Sequence, residues 1–140
     1  MGGSDKMAGT EICVEFNIIG DYFQEEEISN VLELIPSEFY RKGDAIKNRT
    51  LARKETCWTI SSGFEESLDI NEQIKKILYS LQNKSEELNF LKKELNLDYL
   101  LTIIINVQEE NVPAMYFESN VLGFINNISA EIEVDLYIFS

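Results

Sequence analysis

The stretch Tyr99–Val107, YLLTIIINV, is almost entirely apolar and β-branched. It is too short to cross a bilayer as a helix, which takes about 20 apolar residues. It reads instead as a central strand with both faces covered or nearly so. Toward the C terminus, a loop through Glu109, Glu110 and Pro113 leads to a short strand at Met115–Phe117. Ser119 then caps a helix with Val121, Leu122, Ile125 and Ile128 as its apolar positions. The last segment, 130–139, alternates Ile132, Val134, Leu136 and Ile138 with Glu131, Glu133, Asp135 and Tyr137, the period of a half-buried strand.

Toward the N terminus, Asp69 with Glu72 three residues on resembles a capping box, and Ile70, Ile74, Ile77, Leu78 and Leu81 form the stripe of an amphipathic helix. Asn83–Ser85 interrupts it before a second helical segment carrying Leu88, Leu91 and Leu95. Glu55–Ser61 reads as a strand, Trp58 and Ile60 on one face, Cys57 and Thr59 on the other. Before it, the stretch from Arg41 to Lys54 has little periodicity and reads as a loop with a short edge strand around Ile46. Ile28, Val31, Leu32 and Ile35 recur at helical spacing after Glu25, Glu26 and Glu27, acids that suit the positive end of a helix dipole, and Pro36 closes that helix. Ile12, Val14, Phe16 and Ile18 alternate with Cys13, Glu15 and Asn17 as a first strand. Residues 1–10 are small and polar, with a second methionine at Met7, and are set aside as a leader or tag before a single domain over 11–140.

This order predicts an α+β fold: a mostly antiparallel sheet with amphipathic helices on one face, built from two similar halves. If the first and last strands share orientation, Glu15, Glu133 and Asp135 fall on the face away from the helices, which makes that face acidic.

A domain of 140 residues buries roughly 68% of the surface its unfolded chain exposes, so a core needs neither metal nor disulfide. Twelve Lys and Arg face 25 Asp and Glu, a formal charge of −13. Such a surface repels phosphate backbones and anionic membranes, so neither a nucleic acid nor a membrane is the expected partner. Half of the basic residues, Arg41, Lys42, Lys47, Arg49, Arg53 and Lys54, lie in one stretch, so the field is bipolar. Cys13 and Cys57 sit in strand-like runs and read as buried free thiols. With no signal peptide ahead of them, a cytoplasmic location is expected.

The chain contains no histidine. That excludes His-dependent nucleophile systems and His-containing zinc sites, and removes the commonest general base. Two cysteines cannot form a four-thiolate site, and neither a G-x-x-x-x-G-K-[ST] loop nor a G-x-G-x-x-G fingerprint occurs. Glu131, Glu133 and Asp135 share a strand face about 6 to 7 Å apart, but no acidic loop of cation-binding type accompanies them, so no metal or cofactor is expected. A carboxylate-dependent enzyme, or one built on Lys42, ranks last among the readings.

The leading reading is a non-catalytic, macromolecule-binding protein whose acidity attracts a basic protein partner. Its candidate contacts are Glu25, Glu26, Glu27, Glu65, Glu66, Glu109, Glu110, Glu133 and Asp135, each also explicable as ordinary solvated charge. The alternative is a nucleic-acid or anion-binding domain using Arg41, Lys42, Lys47, Arg49, Arg53 and Lys54, with Phe39, Tyr40 and Trp58 as stacking faces. Trp58 shares a face with Ile60 and is expected in the core.

The array Phe16, Ile28, Leu32, Leu34, Pro36, Lys42-Gly43, Trp58 and the helix from Asp69 resembles the domain-of-unknown-function 4279 family over Glu11 to Phe139. The resemblance implies a small bacterial cytoplasmic protein without assigned catalytic residues. Some families of this type serve as immunity proteins beside polymorphic toxins, which makes the partner a basic toxin. Pro36, Lys42, Gly43 and Trp58 are the family-matching positions, and the resemblance gives them no chemical role.

Overall fold

The computed structural model describes residues 9–139. The central strand β1 (Glu11–Gly20) is followed by helix α1 (Glu25–Leu32), strands β2 (Glu38–Tyr40), β3 (Thr56–Ser61) and β4 (Glu65–Glu66), and helices α2 (Ile70–Leu81) and α3 (Ser85–Leu95). Strand β5 (Asp98–Gln108), helix α4 (Ser119–Asn127) and strand β6 (Glu131–Phe139) complete the domain. The sheet order is β2-β3-β1-β5-β6, with β4 paired to the start of β1. Every pairing is antiparallel except β5 with β6. The α+β class and the mostly antiparallel sheet are as expected. The likeness of two halves ends at element content: β1 and β3 are antiparallel, whereas α4 is a crossover that returns β6 parallel to β5.

The strand period decides which side chains meet the helices. Ile12, Val14, Phe16 and Ile18 of β1, Trp58 and Ile60 of β3, and Tyr99, Leu101, Ile103, Ile105 and Val107 of β5 form one buried face. Ile28 and Leu32 of α1, Ile70, Ile74, Ile77 and Leu81 of α2, Leu88 and Leu91 of α3, and Val121 and Ile125 of α4 pack into the same core. Two buried polar side chains fix the layers. Trp58 Nε1 donates to Ser29 Oγ at 3.0 Å, tying β3 to α1, and Tyr99 Oη donates to the Leu88 carbonyl, tying β5 to α3.

Several local expectations change. Helix α1 ends at Leu32, where Glu33 takes a left-handed φ of 57°, so Pro36 lies beyond the stop and Ile35 is 89% exposed. Asn83–Ser85 does separate two helices, and Asp69 caps the first, accepting from the backbone of Asn71 and Glu72. No strand forms at Met115–Phe117; only an isolated bridge joins Ala114 to Asp69. Ser119 is the first residue of α4 rather than its cap, which is Glu118 without a side-chain bond. The fully buried Asn71 organises that entrance: its amide donates to the Tyr116 carbonyl and accepts from the Glu118 N–H. Strand β5 is half-covered on its second face, where Leu100, Ile104 and Asn106 keep partial exposure because no helix lies over them. Thr10 belongs to the fold: its hydroxyl accepts from Gln108 N and donates to the Asn111 carbonyl. Residues 1–8 of the expected leader lie outside the described residues.

Candidate functional site

Among the described residues no helix covers the second face of the sheet, and its side chains follow directly from the register. Glu38, Thr59, Asn17, Leu100 and Glu131 form one row across β2-β3-β1-β5-β6. Ser61, Glu15, Thr102 and Glu133 form the next, and Cys13, Ile104 and Asp135 the one after. Glu11 and Glu66 face each other at one end, and Asp98 stands opposite Ile19 at the other. None of the strand positions of this face holds Lys or Arg. The expected acidic face is therefore present, although β1 and β6 run in opposite directions; the parity of the pairing through β5, not shared orientation, brings Glu15 and Glu133 into one row.

Beneath the carboxylates lies a line of small polar groups. Thr59 Oγ1 donates to Asn17 Oδ1 at 2.6 Å, Asn17 Nδ2 donates to Thr102 Oγ1 at 3.1 Å, and the Cys57 thiol lies 3.4 Å from the Thr59 hydroxyl. Burial raises the Glu15 carboxyl above its ordinary value, with Glu38 and Asp135 adding like-charge repulsion. Neighbours within a row sit about 4.8 Å apart and successive rows about 6.7 Å, so the charges form a lattice across the sheet. At the Asp98 end, Asp98, Glu131 and Glu55 border a cavity of about 360 Å³ with Ile19, Leu100 and Ser129. No group of three or more His, Cys, Asp or Glu among the described residues is arranged to hold a metal ion.

The acidic candidates divide. Glu66, Glu133 and Asp135 lie on the open face. Glu65, one residue from Glu66, turns to the helix side and pairs with Lys76, which holds its carboxyl below the usual range. Glu25, Glu26 and Glu27 form the first turn of α1, where Glu27 accepts from the Gln24 N–H and completes a capping box. Glu109 and Glu110 sit in an exposed turn with φ of 50° and 62°. Sequence reasoning missed Glu38, since a three-residue strand leaves no periodic signal, and Glu11, which the alternation of β1 could have placed beside Glu15.

The basic candidates cluster on a hairpin-like excursion from the β2-β3 edge. The Gly43 N–H donates to the Arg53 carbonyl and Ala45 bridges Ala52, so the expected edge strand near Ile46 shrinks to one bridge. Gly43, at φ 95°, takes a backbone conformation that side chains disfavour. Three of the cations are engaged: Arg53 stacks on Tyr40 at 4.0 Å, Arg41 lies over Phe39, and Lys42 is 3.7 Å from Asp21. Burial and the neighbouring Cys57 push the Tyr40 phenol up to about 12. Lys47, Arg49 and Lys54 make no ion pair among the described residues. Trp58 is fully buried, so it offers no stacking face. Cys13 and Cys57 are buried free thiols, as expected. Cys57 pairs with Ile19, six residues along β1 from Cys13 and so roughly 20 Å away by strand rise, beyond disulfide reach.

Residues 10–139 match the family described as Domain of unknown function (DUF4279). The chain belongs to that family. Among curated proteins and solved structures, none is significantly similar to it. Within this DUF4279 domain the family-matching Trp58 has a structural part, the link between β3 and α1, and Gly43 shapes the turn that opens the basic excursion. Pro36 follows the stop of α1, and Lys42 braces β2 against Asp21 and Tyr22. No helix among the described residues is long and apolar enough to cross a membrane.

Proposed function

We propose that this DUF4279 domain is a non-catalytic binding module that engages a cationic protein through the open face of its sheet, in the manner of a cytoplasmic immunity protein that covers a basic toxin. The observation that carries this reading is the composition of that face: carboxylates on β1, β2, β4, β5 and β6, with no Lys or Arg at any strand position. Arg53, stacked on Tyr40 at the β2 edge, is a cation beside that face, and a field so dominated by carboxylates still steers an oppositely charged partner and speeds its encounter. The absence of histidine and the burial of both thiols weigh against His- or Cys-based catalysis, and the carboxylate-dependent alternative ranks lower because no group of three or more His, Cys, Asp or Glu among the described residues is arranged to hold a metal ion.

The test is affinity capture from the native cell with the wild-type chain and with Glu15→Lys/Glu133→Lys/Asp135→Lys. The reading expects a basic protein that elutes with salt, is lost by the triple variant, and is toxic when expressed without the domain. Retention of the same partner by the triple variant overturns it. A second reading rests on Lys47, Arg49 and Lys54, which have no carboxylate partner among the described residues; Lys54 lines a cavity of about 330 Å³ together with Tyr40, Leu51, Arg53 and the acid Glu55. That reading, anion or single-strand binding, requires binding at low salt that Lys47→Glu/Arg49→Glu/Lys54→Glu abolishes.

A further inference from the structure

The two edges of the sheet are built differently. At one, β2 is three residues long and runs into the basic excursion, which is how sheets commonly blunt an edge. At the other, β6 is nine residues long, is paired to β5 along its whole length, and contains no Lys, Arg or Pro. Among the described residues its outer backbone groups have no strand beside them in the sheet. On its helix-side face Val134, Leu136 and Ile138 continue the core rows of Ile103, Ile105 and Val107, yet they are 42%, 46% and 69% exposed. On the open face Glu131, Glu133 and Asp135 continue the acidic rows. A long, bare strand with apolar side chains is a template for pairing with another chain.

The geometry points to β6 as a strand-addition site for an extended cationic segment of the partner, in which apolar side chains alternate with lysine or arginine. Charge and pleat select that occupant together. Successive side chains of an added strand point to opposite faces, so its apolar residues would cover Val134, Leu136 and Ile138 while its cations meet Glu133 and Asp135. A second copy of this chain fits less well, because each copy brings a formal charge of −13 and its own row of acids. Main-chain pairing supplies affinity in strand addition and the alternating side chains supply selectivity. The inference rests on the cationic-partner reading above and specifies where and in what conformation the partner docks.

The test uses the full chain and two labelled nine-residue peptides of equal composition, one alternating valine and lysine, the other with its lysines in one block. Fluorescence anisotropy at low and physiological salt is combined with hydrogen exchange. The expected result is that the alternating peptide binds at least about tenfold tighter and slows exchange of the β6 amides that point away from β5. Leu136→Lys weakens that binding by a similar factor while leaving the melting temperature near wild type, as its half-exposed side chain allows. Equal binding of both peptides without β6 protection overturns strand addition and leaves the acidic-face reading standing. Binding of neither peptide at low salt removes both. A dimer in analytical ultracentrifugation that Leu136→Lys dissolves makes a second copy the occupant and overturns the proposal.

Discussion

Single side chains hold more of this molecule together than their sizes suggest. Ser29 is a small residue on α1, but its hydroxyl is the acceptor for the only indole in the chain. Ser29→Ala leaves the Trp58 N–H buried without a partner, a loss of about 1–3 kcal/mol, to be read as a lower urea midpoint in tryptophan-monitored unfolding. Glu15 acts in the opposite sense. Its carboxyl is raised in the folded chain, so the folded state binds that proton more tightly than the unfolded state does. The cost is absent below the unfolded carboxylate value, near about pH 4.3, and grows as pH rises through the folded value. Glu15→Gln therefore stabilises the domain at neutral pH, and the gain fades on acidification; melting curves of both proteins across that range check the sign. Trp58 was legible as core from its place beside Ile60. Its partner Ser29 was not, since no periodicity links a hydroxyl on one helix to an indole on a strand nearly thirty residues away.

The elements themselves were mostly legible wherever a long apolar period exists. The alternation in β1 and the stripe of α2 carry their own assignments, because one buried face demands one period; β6 alternates as cleanly, but the half-buried face expected of it is missing, since no position of it is buried and Val134, Leu136 and Ile138 lie exposed at the sheet edge. Short or irregular pieces escaped: β2 is three residues long, and residues 115–118 are held by the amide of Asn71 rather than by a ladder. Two changes test the helices. Asp69 accepts from two N–H groups at the start of α2, so Asp69→Ala costs about 0.5–2 kcal/mol, measured by denaturant titration. Gly123 lies exposed within α4, and a Cβ there meets nothing within 4 Å. Gly123→Ala is expected to add up to about 1 kcal/mol, seen as a higher melting temperature.

At the scale of the whole domain, an anionic surface facing water destabilises the compact state through self-repulsion. Raising ionic strength to physiological levels, where charges are screened over about 8 Å, should raise the melting temperature; reversing Glu133 and Asp135 to lysine should flatten that dependence. The acidic face was legible in the alternation of single strands but not as a surface, since the row Glu15–Thr102–Glu133 exists only through pairings between distant parts of the chain. Those pairings also set an order of events during synthesis. The middle strand of the sheet is made before its longest neighbour, which follows almost ninety residues later. At ribosomal speeds of about 5–20 residues per second, Ile12, Val14 and Phe16 wait roughly 5 to 20 seconds for Ile105, Ile103 and Leu101. During that interval the nascent chain presents a sticky ribbon, and a chaperone that shields it from neighbouring chains would improve the yield of folded domain.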